Sequence, residues 1–171
     1  MLKIYDIVSA RYDMEGAVAF REKAAWISLA VTLVVWGGYF AVVWGEIAGG
    51  RPNGALILER FISAVVFSVL ASIVAAIVLA LVSGRAADAP ADERERLIAL
   101  KSTEVAYAVL SLGVVVVALT APAVALGGLN LFPGDPAADT ALIAANGVLF
   151  ALIAAEVVRG GLTIARYRLG R

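Results

Sequence analysis

The sequence predicts an all-α integral membrane protein that crosses the bilayer four times as a four-helix bundle, with both termini cytoplasmic. The 171-residue chain is 62% hydrophobic, with a mean hydropathy of +0.92, whereas soluble domains average about 45–50% apolar residues. Its charged residues leave four long apolar stretches, and its basic residues collect in the segments expected on one side of the membrane. Lipid rather than water is therefore the expected solvent for most of the chain.

The four apolar stretches have the length of membrane-spanning helices. A bilayer core about 30 Å thick takes roughly 20 helical residues, and three stretches reach that length without a charge. The fourth, Thr140–Ala155, is shorter, but apolar residues continue past Glu156, and a charge near a helix end can extend to the headgroups. We predict an N-terminal interfacial amphipathic segment at 1–21, spans at 22–45, 60–83, 93–127 (with a cytoplasmic stem) and 139–165, and a basic tail at 166–171.

The basic residues predict the orientation. Four Lys or Arg lie in residues 1–23, four in the central loop and its stem, and four from Arg159 onward, whereas only Arg51 and Arg60 lie on the opposite side. Lys and Arg concentrate in the cytoplasmic segments of membrane proteins. We therefore expect both termini and the central loop to lie in the cytoplasm.

The N-terminal segment carries apolar residues at helical spacing, including Ile4, Val8 and Tyr12. This pattern favours a short helix that lies along the membrane surface, with a bend permitted at Gly16 before the first span. A docking element for a partner is the alternative. The first span should end in a loop over residues 46–59, which contains a Gly-Gly-Arg-Pro-Asn-Gly run rich in turn residues.

Two helices carry small residues at four-residue spacing, which lets a neighbouring helix approach closely where lipid removes the hydrophobic drive for association. The partner of each stripe is expected within the same chain, and a second chain is the alternative. Asn146, an amide within the fourth span, is expected to find a hydrogen-bond partner. The predicted packing residues are Ala64, Ser68, Ser72, Ala76 and Ala80 in the second span, and Gly147, Ala151 and Ala155 in the fourth.

The central loop contains a helix start. Asp92 and Glu95 have the spacing of a capping box, and Pro90 precedes them. A helix should begin at Glu93 and continue as a cytoplasmic stem into the third span. The stem is either a solvated helix or a surface for a partner, and its candidate partner residues are Asp92, Glu93, Arg94, Glu95 and Arg96.

A shift of 83 residues superimposes the two halves of the chain at several positions, such as Phe67 on Phe150 and Arg85 on Arg168. These matches suggest an internal repeat of two hairpins related by an axis along the membrane normal. Chance matches among Val, Ala and Leu are the alternative.

Glu156 and Arg159 form the one oppositely charged pair inside or bordering a predicted span. Ionisable residues within a membrane often mark ion or proton pathways, so the pair is a candidate relay, with Asn146 of the same helix as a third polar residue. The alternative is a structural ion pair at the cytoplasmic interface.

The run Asp92-Glu-Arg-Glu-Arg-Leu-Ile98, which leads directly into the third span, resembles an acidic-arginine stem found in small prokaryotic inner-membrane proteins of a domain-of-unknown-function family. The resemblance covers the central loop and third helix. It implies a multi-pass protein of the prokaryotic cytoplasmic (inner) membrane. That family carries no established activity, so the resemblance implies no catalytic residue.

Residue types make catalysis unexpected. The chain has no His and no Cys, so Ser/His and Cys/His dyads and the usual haem and zinc ligands are missing, and no phosphate-binding loop motif occurs. We expect no cofactor. Its formal net charge is zero, which gives no reason to expect nucleic acid as a partner.

The sequence therefore favours a noncatalytic membrane protein that acts through helix–helix association, with the lipid bilayer and other membrane-protein chains or itself as partners. It would serve as an accessory subunit of a membrane complex or as a homo-oligomer. The alternative is a small proton- or cation-coupled transporter or channel formed by oligomerisation.

Overall fold

The chain folds into four long helices. A computed structural model describes residues 2–50, 52–83, 92–127, 131–132 and 135–169. Within these residues the structure is all-helical, and each helix is long and apolar enough to cross a membrane, as predicted. The helices are α1 (Leu2–Ala48), α2 (Gly54–Ser83), α3 (Glu93–Leu126) and α4 (Pro136–Leu169).

Helix α1 is longer than predicted at both ends. It runs without interruption from Leu2 to Ala48, so the bend permitted at Gly16 does not break the helix. The part of α1 that is long and apolar enough to span starts at Phe20. Whether residues 1–21 lie along the membrane surface stays a prediction.

The connection between α1 and α2 is much shorter than the predicted loop of residues 46–59. A turn follows α1 at Gly49 and Gly50, where Gly50 has a positive φ of 73° that favours glycine. The Asn53 side chain accepts a hydrogen bond from Leu56 N at 3.2 Å and so caps the start of α2 at Gly54. Glu59 is consequently an exposed residue of α2 rather than a loop residue.

Helix α3 begins at Glu93, as its capping pattern predicts. The Glu95 carboxylate accepts a hydrogen bond from Asp92 N at 3.0 Å, which is the backward half of a capping box. Helix α4 begins with Pro136 in its first position, and the Asp135 carboxylate accepts a hydrogen bond from Ala138 N at 3.0 Å. Helix α4 extends to Leu169, so most of the predicted basic tail is helical.

The helices form an open row rather than a closed bundle. Helix α2 packs against α1, α1 packs against α4, and α4 makes its most extensive contact with α3. Among the described residues, no contact of similar extent joins α2 to α3. We call the end of the row that holds residues 92–102 and 164–169 the stem end, and the end that holds residues 47–50, 52–56, 131–132 and 135–139 the loop end.

An aromatic cluster joins the first two helices to α4. Trp36, Tyr39 and Val43 of α1 and Ile57 of α2 are buried together. The rings of Trp36 and Tyr39 meet edge to face with their centroids 5.9 Å apart, a favourable geometry for aromatic pairs. Residues of both α2 and α4 pack against this cluster, so it is a buried core that α1, α2 and α4 share.

Helices α3 and α4 approach each other closely through small residues. A Cβ added to Gly113 would lie 2.6 Å from the Ala151 Cβ, and one added to Gly147 would lie 2.8 Å from a Val117 methyl carbon. Ala151 and Ala155 are both 5% exposed. The predicted stripe of α4 therefore faces α3 within the same chain.

Candidate functional site

A large apolar cleft lies between three helices in the half of the row nearer the loop end. It has a volume of about 770 Å³. Its walls are Gly37, Phe40, Ala41 and Trp44 of α1, Val117 and Thr120 of α3, and Ile143, Asn146, Gly147 and Phe150 of α4. Trp44 and Phe150 are 71% and 60% exposed, so the cleft is open on one side of the row. We call it the lateral cleft.

Asn146 lies in the wall of the lateral cleft, and both ends of its amide are hydrogen-bonded. The Tyr39 hydroxyl donates to Asn146 Oδ1 at 2.7 Å, and Asn146 Nδ2 donates to the Leu142 carbonyl at 2.9 Å. This geometry agrees with the expectation that the Asn146 amide has a hydrogen-bond partner. The bond from Tyr39 also ties α1 to α4 within the apolar region.

A residue between α3 and α4 lies against the loop end of the lateral cleft. Leu131 is 7% exposed and lines the cleft. The next residue, Phe132, donates its backbone N–H to Asp139 Oδ1 at 2.8 Å. Asp139 is 1% exposed, so its carboxylate holds the connection from inside, where an unpaired backbone N–H would be costly.

Glu156 and Arg159 form an ion pair on an exposed face of α4. Arg159 Nη2 lies 2.7 Å from Glu156 Oε2, and the two side chains are 45–47% exposed. Asn146 lies ten residues earlier, which is about 15 Å along the helix and roughly 80° around it. The three predicted polar residues therefore do not converge within one chain, and the transport alternative requires a second copy to cover the ion pair.

The predicted stripe of α2 turns gradually away from α1. Ala64 and Ser68 are partly covered, whereas Ser72, Ala76 and Ala80 are exposed. A four-residue step advances about 40° beyond a full turn of an α-helix, so the later members of the stripe rotate away from the neighbouring helix. Ser72 and Ala76 line a groove between α1 and α2.

The stem end is held together by charged residues. Glu95 is 6% exposed, and its Oε2 lies 3.2 Å from Arg21 Nε of α1. Of the predicted partner stem, Glu95 is therefore directed into the protein, whereas Asp92, Glu93, Arg94 and Arg96 are exposed. The same carboxylate caps α3 and joins it to α1.

Two arginines of α4 complete the contacts at the stem end. Arg166 Nη1 donates to the hydroxyl of the fully buried Ser102 at 3.1 Å. Arg168 Nε donates to Glu22 Oε1 at 3.2 Å, and its guanidinium carbon lies 5.3 Å from the centre of the Trp26 ring, within cation–π range. The C-terminal turn of α4 thereby contacts both α1 and α3.

The sequence analysis missed several of these residues. Asp139 follows Asp135-Pro136, a pair that is typical of a helix start. This pattern predicts the helix cap, but it does not predict the hydrogen bond between Asp139 and the preceding loop. Ser102, Ala106 and Gly113 form a small-residue face of α3 that the spacing alone could have indicated. The sequence could not indicate that Tyr39 binds Asn146, because the two residues are 107 positions apart in the chain.

The part of the chain that the structure describes holds no group of three or more Asp or Glu side chains placed to bind a metal ion. The resemblance of the stem to prokaryotic inner-membrane proteins stays a prediction. No protein-family model, curated protein or solved structure matches this chain.

Proposed function

We propose that this protein is a noncatalytic membrane protein that acts by helix–helix association, and that α2 is its associating helix. The observation that carries this proposal is the exposure of α2 at the edge of the row. None of the residues in its most apolar window is buried, and the mean hydropathy of that window is 3.0. A helix of this kind has one neighbour and a wide face left for another.

The small residues of α2 support the proposal. Ser72, Ala76 and Ala80 are exposed on successive turns, and the Ser72 hydroxyl donates to the Ser68 carbonyl at 2.7 Å within the same helix. A partner helix can approach such a face closely and gain van der Waals contact, which is the main drive for association in lipid. We further propose a prokaryotic cytoplasmic membrane location with cytoplasmic termini, on the distribution of Lys and Arg.

The arrangement of polar groups supports a noncatalytic role. The buried polar side chains described above serve the fold, because Asp139 holds a loop, Ser102 receives Arg166 and Glu95 caps a helix. The partner is either a second copy of the chain or a subunit of a larger complex. These two cases are separated by the experiment below.

Cysteine cross-linking tests the proposal directly, since the chain contains no Cys. Single variants Ala76→Cys and Ala80→Cys are oxidised in native membranes and compared with Leu152→Cys, which is 45% exposed on α4. We expect dimers to form through the α2 variants and not through Leu152→Cys, if the partner is a second copy. A defined chain that co-purifies in mild detergent and is lost in Ala76→Leu would identify an accessory subunit.

Two outcomes would contradict the proposal. One is a monomeric mass in mild detergent, with no co-purifying chain and no disulfide from either α2 variant. The other is equal cross-linking at Leu152→Cys, which would indicate random collision in the membrane rather than association through α2.

A further inference from the structure

We propose that the exposed ion pair of α4, Glu156 with Arg159, binds the headgroup of a phosphatidylethanolamine in the leaflet at the stem end. The proposal is independent of association through α2, because both residues belong to α4. It is based on three observations: the level of the pair along the helix, the apolar residues on the same face, and the hydrogen-bonding groups that the pair leaves open.

The pair lies at the level where the apolar part of α4 ends. Arg159 follows Asp139 of the loop end by 20 positions, which is about 30 Å along the helix and equals the usual thickness of the hydrocarbon region. Helix α3 indicates the same level, because the contact of Gly113 with Ala151 joins the two helices. Measured from that contact, Arg159 of α4 and Glu104 of α3 lie eight and nine positions toward the stem end. Both helices therefore reach a charged residue at headgroup level.

The face of α4 that carries the pair changes from apolar to charged along its length. Val148, Leu152, Glu156 and Arg159 follow one another at spacings of four, four and three residues, which places them on one side of the helix. Each is 43–47% exposed, so this side of α4 is open to lipid. The order of these residues matches a phospholipid that lies along the helix, with an acyl chain on the two apolar residues and the headgroup at the ion pair.

The pair leaves one acceptor and one donor group open. Arg159 Nε and Nη2 both donate to the same oxygen, Glu156 Oε2, at 3.1 and 2.7 Å. Within the described part of the chain, Glu156 Oε1 and Arg159 Nη1 have no hydrogen-bond partner. A zwitterionic headgroup matches both, because its phosphate accepts from the guanidinium and its ammonium donates to the carboxylate oxygen. The quaternary ammonium of choline has no N–H to donate, so ethanolamine is the headgroup that fits.

Other occupants match the pair less well. Its two charges cancel, so it does not attract an anionic headgroup, and hydrocarbon alone would leave both charges unsolvated. A second copy of the chain has the same orientation in the membrane. A two-fold axis between two α4 helices therefore places each Glu156 at the depth of the other Glu156, and each Arg159 at the depth of the other Arg159. Like charges then face each other across the contact, which favours a headgroup over a second copy.

Amide coupling tests the proposal, because an amine that contacts Glu156 can be joined to it. The full chain is reconstituted in vesicles of phosphatidylethanolamine and phosphatidylcholine, and a lipid-soluble carbodiimide activates the carboxylate. The primary amine of the lipid attacks the activated carboxyl carbon to form an amide, and the carbodiimide leaves as a urea. Benzylamine in a parallel sample measures how each carboxylate reacts with an amine that has no phosphate. Mass spectrometry of the peptides gives the ratio of lipid amide to benzylamide at each residue.

Glu104 is the internal control, since it is an exposed carboxylate at nearly the same level of α3. We expect the ratio at Glu156 to exceed the ratio at Glu104 roughly fivefold, because contacts between exposed charges are individually weak. Arg159→Gln should lower the ratio at Glu156 to that at Glu104, because the phosphate loses its guanidinium, and Arg159→Lys should retain most of the excess. Ala76→Leu on α2 should leave the ratio unchanged, which separates this proposal from association through α2.

Three results would overturn the proposal. The first is an equal ratio at Glu156 and Glu104 in the unchanged protein. The second is a ratio at Glu156 that Arg159→Gln does not lower, when both proteins have the same helical content. The third is a Glu156 that forms neither amide while Glu104 forms both, which would show that another protein chain covers the pair. A disulfide between two copies of Leu152→Cys would then identify that chain as a second copy.

Discussion

Glu95 combines two contacts in one buried carboxylate. It accepts a hydrogen bond from Asp92 N, it pairs with Arg21 of α1, and it lies at the end where α4 also makes its last contacts. Its other oxygen, Oε1, is buried and accepts no hydrogen bond from the described residues. A buried charge of this kind depends on the few partners that it has.

Glu95→Ala should destabilise the protein by about 2–3 kcal/mol. The substitution removes the cap of α3 and leaves Arg21 without its carboxylate, and the partial exposure of Arg21 keeps the loss below that of a fully buried pair. The midpoint of SDS-induced unfolding, followed by tryptophan fluorescence, measures the change. Glu93→Ala, at an exposed position in the same turn, should cost less than about 1 kcal/mol. Equal shifts for the two variants would refute the role given to Glu95.

The elements differ in how far the sequence could predict them. Capping residues indicated the start of α3 correctly, because the cap is a local interaction. The start of α2 was placed six residues late, since Glu59 was read as a loop residue although charges near a helix end can reach the headgroups.

The two small-residue stripes show why packing is harder to predict than helix formation. In α4 the stripe packs against α3 at Gly147 and Ala151, whereas in α2 its last three members, Ser72, Ala76 and Ala80, are exposed. Helices α2 and α4 both carry small residues at four-residue spacing, and both are apolar on all sides. In lipid, an apolar surface does not distinguish a packed face from a lipid-facing one, so the sequence could not specify the partner of each stripe.

Gly113→Ala should destabilise the α3–α4 pair, although alanine is normally the better helix former by about 1 kcal/mol. The added methyl would lie 2.6 Å from the Ala151 Cβ, so the two helices must separate, at a cost of about 1–3 kcal/mol. Gly161→Ala on α4 has nothing within 4 Å and should be neutral or slightly stabilising. Thermal unfolding in detergent compares the two variants, and a stabilised Gly113→Ala would contradict the close packing.

At the scale of the whole molecule, the number of helices and their apolar character followed from composition and length. The order of the helices in the row did not, because that order depends on contacts between distant residues, such as Arg21 with Glu95 and Tyr39 with Asn146. The lateral cleft could not be predicted from the sequence either. It is lined by residues of three helices that are far apart in the chain, and no local motif marks that geometry.

The proposed orientation predicts the result of reporter fusions. A reporter that is active only in the periplasm should be silent when fused after Arg171 and active when inserted after Gly50, in the short turn between α1 and α2. The reason is the excess of Lys and Arg at the stem end and termini. Activity after Arg171 would reverse the orientation, and activity at both sites would show that the number of crossings between them differs from three.

The hydrogen bond between Tyr39 and Asn146 also constrains biogenesis. It joins the first helix to the last across 107 residues, so it forms only after synthesis has reached α4 and that helix has entered the bilayer. Until then, α1 of the nascent chain lacks its α4 neighbour, and the Tyr39 hydroxyl lies in hydrocarbon without the Asn146 acceptor. Insertion of the final helix is therefore the step that completes the fold, and a chain interrupted before α4 leaves the α4-facing side of its aromatic cluster uncovered for quality-control proteases.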